Sequence, residues 1–206
     1  MKVSFPLPVQ TIRFQAEGVR VYAPAVSGLT DSNVQNKINQ TIEMQTKTLM
    51  NEQGYPKQAS NLEMTGSYEI KTNQRAVLSL CLRNYAYIQG HAHGLTIIRS
   101  LTANTATGRF YLLHELFKPG SEYVTKISEL IRIQIKEREL PLLEPFAGIW
   151  PDQEFYISDK ALVIYFQAYE ITPYYVGLPM FPIPVYTLHN LIEEKSPLVP
   201  CLLNKN

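Results

Sequence analysis

The sequence predicts an α+β protein: antiparallel sheets, each packed by one main helix, in two tandem subdomains. Three observations predict it. Apolar positions recur at helical spacing over 31–53 and 121–139, while the stretches around them alternate or run apolar over strand lengths. Fourteen prolines and thirteen tyrosines beside a single tryptophan suit short strands with punctuated turns better than a helical bundle. The 206 residues, 45% of them apolar, suffice for one sizeable core or two small ones. The order strand, helix, strands recurs loosely in both halves, which sets the domains at 1–105 and 106–206.

Val3, Phe5, Leu7 and Val9 alternate with polar residues or proline, so this segment is expected to be a strand. Pro6 and Pro8 cannot donate to a ladder, which places it at an edge. Val19 to Tyr22 is a second short strand. Asp31 has the side chain of an N-cap, and Val34, Ile38, Ile42, Gln45 and Leu49 form the buried stripe of the helix it starts. Gly54 and Pro56 end it. Leu62 to Thr72 is the next strand, joined at Asn73-Gln74 to Ala76 through Ile88, and Leu95 to Ala103 completes a meander. A turn at Asn104 to Arg109 delivers Phe110 to Phe117. Val124, Ile127, Ile131 and Ile135 give the second helix its core stripe. Phe155 to Ser158 and Ala161 to Gln167 read as a hairpin around Asp159-Lys160. Tyr169 to Pro182 is a loop, Ile183 and Val185 are extended, and Tyr186 to Ile192 is expected to be a short helix.

Nineteen basic against eighteen acidic residues give a formal charge of +1. That balance argues against a nucleic-acid partner, which needs a basic surface to displace counterions. No stretch approaches the roughly 18 consecutive apolar residues of a membrane span. Pro6 and Pro8 interrupt any secretory apolar region at the N-terminus, so the chain as given is expected to remain in the cytoplasm. Cys81 and Cys201 are too few and too far apart for a disulfide framework or metal cluster, and Cys81 reads as a buried thiol.

The most specific segment is Tyr85-Ala86-Tyr87-Ile88-Gln89-Gly90-His91-Ala92-His93-Gly94. Two glycines bracket a tight reversal between strands. His91 and His93, two apart, project from one face if extended, a possible metal pair. A third ligand is missing nearby, and His114 and His189 cannot be placed from sequence. The default for these histidines is therefore a hydrogen-bonded role in the turn, and no metal or cofactor is expected.

This run resembles the tyrosine-rich strand followed by Gly-Gly-Ala-His-Gly in a bacterial family of two fused domains of unknown function. The pair occurs in the extracellular part of the anti-sigma-V factor RsiV and ahead of the catalytic domain of the peptidoglycan deacetylase PdaC. Tyr22-Ala23-Pro24 to Gly28 with Ile38-Asn39, Thr107-Gly108 with Leu113 to Phe117, and Phe166 to Ile171 with Pro173-Tyr174, Gly177 and Ile183-Pro184 are similar to further family motifs in the same order. His91 replaces the usual glycine and Ala168 the usual proline. The resemblance covers roughly 19–190, and neither a membrane anchor nor a deacetylase domain is expected in the chain. It implies a non-catalytic module that recognises a protein, as RsiV recognises lysozyme, or cell-wall material. It also implies a location outside the membrane, against the reading of the N-terminus.

The residues agree with a binding module in lacking G-x-S-x-G, H-E-x-x-H, P-loop and Rossmann signatures. Candidate contacts are Tyr85, Tyr87, His91, His93, Trp150, Tyr169, Tyr174 and Tyr175, with Phe146 to Trp150 and Tyr169 to Phe181 as the surface segments. One alternative is a metal- or histidine-dependent hydrolase around His91 and His93, with Glu170 or Asp159 as carboxylate partner. The other is a self-associating spore or envelope protein pairing its Val3–Val9 edge, although Pro6 and Pro8 work against that.

Overall fold

The helix that opens at Asp31 organises the first half of the chain. In the computed structural model, which describes residues 6–202, the Asp31 carboxylate accepts from the amides of Asn33 at 2.8 Å and Val34 at 3.4 Å. These are orphan donors of the first turn of α1, Ser32–Glu52. Ile38, Ile42 and Leu49 are buried as the spacing predicts. Thr46 replaces Gln45 in the stripe, since it lies four residues beyond Ile42 and its hydroxyl donates back to the Ile42 carbonyl at 2.8 Å.

The apolar face of α1 packs on a six-stranded sheet with the strand order β1-β2-β3-β4-β5-β6. Its strands are β1 (Val9–Ala16), β2 (Val19–Val26), β3 (Leu62–Gln74), β4 (Val77–Ile88), β5 (Leu95–Asn104) and β6 (Arg109–Phe110). One pairing departs from the antiparallel expectation: β2 and β3 run parallel, with Val21 opposite Gly66. A helix long enough to span the sheet carries the chain back before β3 begins, and such a crossover makes its two strands parallel. Ile38 and Ile42 meet Leu78, Leu80 and Leu82 of β4 and Ala23 and Val26 of β2 in the core. Asn39 joins helix to sheet, since its side chain accepts from the Val26 amide at 2.8 Å and donates to the Val26 carbonyl at 2.9 Å.

Three boundaries differ from expectation. Val3 and Phe5 lie outside the described residues, and among the described residues the first strand begins at Val9, after both prolines. Leu7 is buried without being a strand residue, and the Asn73 side chain bonds both its amide and its carbonyl, at 3.0 and 2.9 Å. With Asn73 committed there and a bulge between Ile70 and Thr72, β3 continues to Gln74. The turn therefore falls on Arg75-Ala76, both left-handed at φ of 52° and 59°.

The chain divides into two compact units after Phe110, because β6 still pairs with β5. The second unit contains α2 (Tyr123–Glu137) and the antiparallel sheet β7 (Phe155–Ser158), β8 (Ala161–Tyr165) and β9 (Met180–Pro184). Tyr123 rather than Val124 starts the buried stripe of α2, stacked on Phe117 at 4.5 Å between ring centres. Gln134 and Arg138 of α2 donate to the carbonyls of Pro182 and Met180 at 3.0 and 2.8 Å, holding the helix along β9. Residues expected as a terminal helix form only a 3-10 turn, Val185–Leu188, and the expected Tyr169–Pro182 loop ends where β9 begins. Neither Cys81 nor Cys201 forms a disulfide, and Cys81 is buried in β4.

Candidate functional site

Two surfaces carry the residues singled out above, one in each unit. The first lies at the β4–β5 turn. Gly90 takes φ 93° with open space around it, so its role is conformational. Gly94 has a different reason. A Cβ there would stand 2.4 Å from the Tyr85 ring, which lies over the glycine. The tyrosine and the second glycine are thus two halves of one packing contact. Tyr85 and Tyr87 share the face of β4 opposite to buried Asn84 and Ala86.

His91 and His93 are exposed at this turn, and His93 Nδ1 lies 2.9 Å from the Gly94 carbonyl oxygen. Both line a cavity of about 290 Å³ with Ala86, Ile88, Leu95 and Ile97, and with Glu52, Gln53 and Gln58 near the end of α1. The carboxylate sharing this wall is Glu52, which sequence reasoning did not single out. It forms an ion pair with Arg99 at 2.9 Å. Gln53 is buried, bonded to the Leu95 carbonyl and to Asn84 at 2.8 Å each, and so forms a fixed floor. Glu170 is held within the second unit by Gln153 at 3.2 Å and the Gln167 amide at 2.7 Å. Asp159 occupies the tip of the β7–β8 hairpin at φ 48°. Among the described residues, no three His, Cys, Asp or Glu side chains are grouped to hold a metal ion.

The second surface centres on Trp150, which is 75% exposed. Its backbone is pinned on every side. The Ile149 amide donates to Ser128 at 3.0 Å, the Tyr123 hydroxyl to the Pro151 carbonyl at 2.9 Å, and the Gln153 amide to the Trp150 carbonyl at 3.1 Å. His114 Nδ1 meets Asp152 at 2.5 Å. Burial, and then the Asp152 charge, push the Tyr123 phenol above its ordinary pKa. Tyr169 and Tyr174 stack at 5.4 Å, and Tyr175 is 78% exposed beside them. Gln153, on the Trp150 turn, bonds Glu170, the neighbour of Tyr169. Phe146 and Phe181, from the expected surface segments, instead pack edge-on against Phe166 at 5.8 Å each.

Charge order adds a feature that the near-neutral total conceals. From 139 to 194 the acidic residues are Glu139, Glu144, Asp152, Glu154, Asp159, Glu170, Glu193 and Glu194, against the single cation Lys160. Six of these eight carboxylates are exposed and Glu154 and Glu193 are half-buried. Of these, Asp152 and Glu170 are tied to the Trp150 turn, through His114 and Gln153, and the cation Arg132 also reaches it, donating to the Ala147 carbonyl at 2.9 Å.

Comparison with known proteins agrees with the two-part architecture. Residues 16–96 match the family described as deacetylase PdaC, and residues 114–186 match a protein family of unknown function, DUF3298. The anti-sigma-V factor RsiV of Bacillus subtilis is 33% identical over 189 residues, covering 84% of this chain and 65% of RsiV. The peptidoglycan-N-acetylmuramic acid deacetylase PdaC of the same organism is 23% identical, covering 65% of this chain and 30% of that protein. The chain thus spans less than two thirds of either relative. A DUF3298 family protein from Pseudomonas aeruginosa PAO1 superposes with a TM-score of 0.68 at 14% identity, covering 94% of this chain and 97% of that one. One from Bacteroides fragilis superposes at 0.67 and 13% identity, covering 91% and 94%. Sequence and fold together make this chain similar to RsiV and PdaC, with a match to a PdaC-type domain followed by one to DUF3298, a family of unknown function.

Proposed function

We propose that the chain is a non-catalytic binding or sensing module that meets a protein ligand through the aromatic surface around Trp150. The observation that carries this reading is the exposed indole on a turn whose backbone is held by three hydrogen bonds. An aromatic side chain on a pre-ordered turn loses little entropy on binding and can bury a large apolar area, which is the make-up of an interface hot spot. The stacked tyrosines, with Asp152 and Glu170 on the same turn network, suit lysine and arginine side chains, by cation–π contact and ion pairing. A cationic protein such as a lysozyme, the ligand the family resemblance implies, fits that chemistry better than a neutral glycan.

The test is calorimetric titration of the chain with lysozyme and, separately, with soluble peptidoglycan fragments. The expected result is saturable lysozyme binding that weakens as salt is raised, and that Trp150→Ala reduces at least tenfold with unchanged circular dichroism. Binding of the glycan fragments alone would move the reading to a cell-wall ligand. Binding to neither would overturn it.

A further inference from the structure

We infer that β1 is a self-association edge, through which two copies of this chain join their six-stranded sheets into one continuous sheet across an antiparallel β1–β1 seam. The inference is independent of the ligand proposed for the second unit. β1 is outermost in its sheet and pairs with β2 along all eight residues without a bulge, from Val9 opposite Val26 to Ala16 opposite Val19. Its other edge pairs with no strand among the described residues.

Protein sheets commonly guard such an edge with shortness, proline, a bulge or outward charge. The opposite edge of this sheet is guarded by shortness, since β6 has two residues. Of these devices β1 carries only a charge. Pro6 and Pro8 precede the strand instead of interrupting it, and its one charge, Arg13, lies over the Tyr22 ring of β2 at 5.9 Å.

Symmetry then selects a register. A two-fold axis normal to the sheet sets residues of the same facing opposite each other, so near-complete overlap is centred on Ile12 or on Arg13. Centring on Arg13 sets two guanidinium groups directly opposite, which is destabilising. Centring on Ile12 pairs Ile12 with itself, Thr11 with Arg13, Gln10 with Phe14 and Val9 with Gln15, and opposes no like charges. The Gln10 side chain of the second copy then comes beside Phe14, at the rim of the groove of about 380 Å³ that Phe14 forms with Val19, Met50 and Tyr55. Self-pairing therefore has one in-phase, charge-compatible solution.

The register makes Thr11 the diagnostic position. It is exposed, its hydroxyl contacts Tyr68 at 2.8 Å, and it faces Arg13 across the seam. Thr11→Glu and Thr11→Arg lose the same hydroxyl contact but carry opposite charge. Sedimentation equilibrium of the full chain is expected to show a concentration-dependent dimer. Thr11→Glu should tighten it about fivefold and Thr11→Arg loosen it about fivefold, because each pair occurs twice in the dimer. Amide exchange in β1 should slow as protein concentration rises. A chain that stays monomeric to millimolar concentration, or a dimer that both variants shift in the same direction, would overturn the inference.

Discussion

The β4–β5 turn and the Trp150 turn each set aromatic side chains near a histidine, yet they are built for different ends. At the first, the aromatic ring covers the neighbouring backbone: Tyr85, itself partly exposed, lies over Gly94, and His93 bonds the backbone beside it. At the second, the hydrogen bonds go to the backbone and the ring is left outward, with Trp150 three-quarters exposed. A dense local motif can thus record a packing requirement, while an exposed aromatic on a pinned turn leaves almost no motif at all.

The widest separation of the two turns comes from ligand binding. Trp150→Ala is expected to lose about 2–4 kcal/mol of binding free energy, as central aromatic anchors do. Alanine at both His91 and His93 should leave the same titration within about 0.5 kcal/mol. A loss on the histidine side as large as on the tryptophan side would merge the two turns into one functional class.

Stability measurements should reverse the order. Gly94→Ala places a methyl group against the Tyr85 ring and should cost about 1–3 kcal/mol in chemical denaturation. Combining it with Tyr85→Ala should recover part of that loss, since the clash then disappears. Gly90→Ala meets no neighbouring atom and should cost only the strain of its left-handed backbone, about 1 kcal/mol. Equal costs at the two glycines would remove the packing account of the motif.

The smallest effect is a pH dependence confined to the second turn. The Tyr123 phenol has its pKa raised above 10.0 by burial and by Asp152. Its contribution is therefore fully present below pH 10 and is lost as pH rises through the higher folded value. Thermal melts of the wild-type chain should fall on this account above pH 10. Those of Tyr123→Phe should lack that component, and an unchanged alkaline slope in the variant would show that the Asp152 loop does not sense this phenol.

Much of the fold was legible in the chain because its cues are local. The Asp31 cap, the Ile38–Ile42 stripe and the Asp159-Lys160 hairpin each depend on neighbours a few residues away. The shift of the β3–β4 turn to Arg75-Ala76 was not legible, because its cause is Asn73 binding Leu7, 66 residues distant. The expectation of Gln45 in the helix core, where Thr46 is found, failed for a related reason. A polar residue enters a core when its hydroxyl finds a partner there, and period alone does not show which one does. At the candidate site the aromatic residues were legible by type. Their facing was not, and Phe146 and Phe181 turned inward while Trp150 and Tyr175 stayed out.

By itself the sequence determined the α+β class, the two main helices and the series of aromatic and acidic residues along the second half. Propensity, periodicity and charge order act over a few residues and survive without the fold. Only the tertiary structure decided that β2 and β3 run parallel, that Tyr85 serves Gly94, and that Trp150 stands on a fixed backbone. Those outcomes depend on groups far apart in the chain competing for the same hydrogen bonds and the same buried volume, and that competition is resolved only when the whole unit closes.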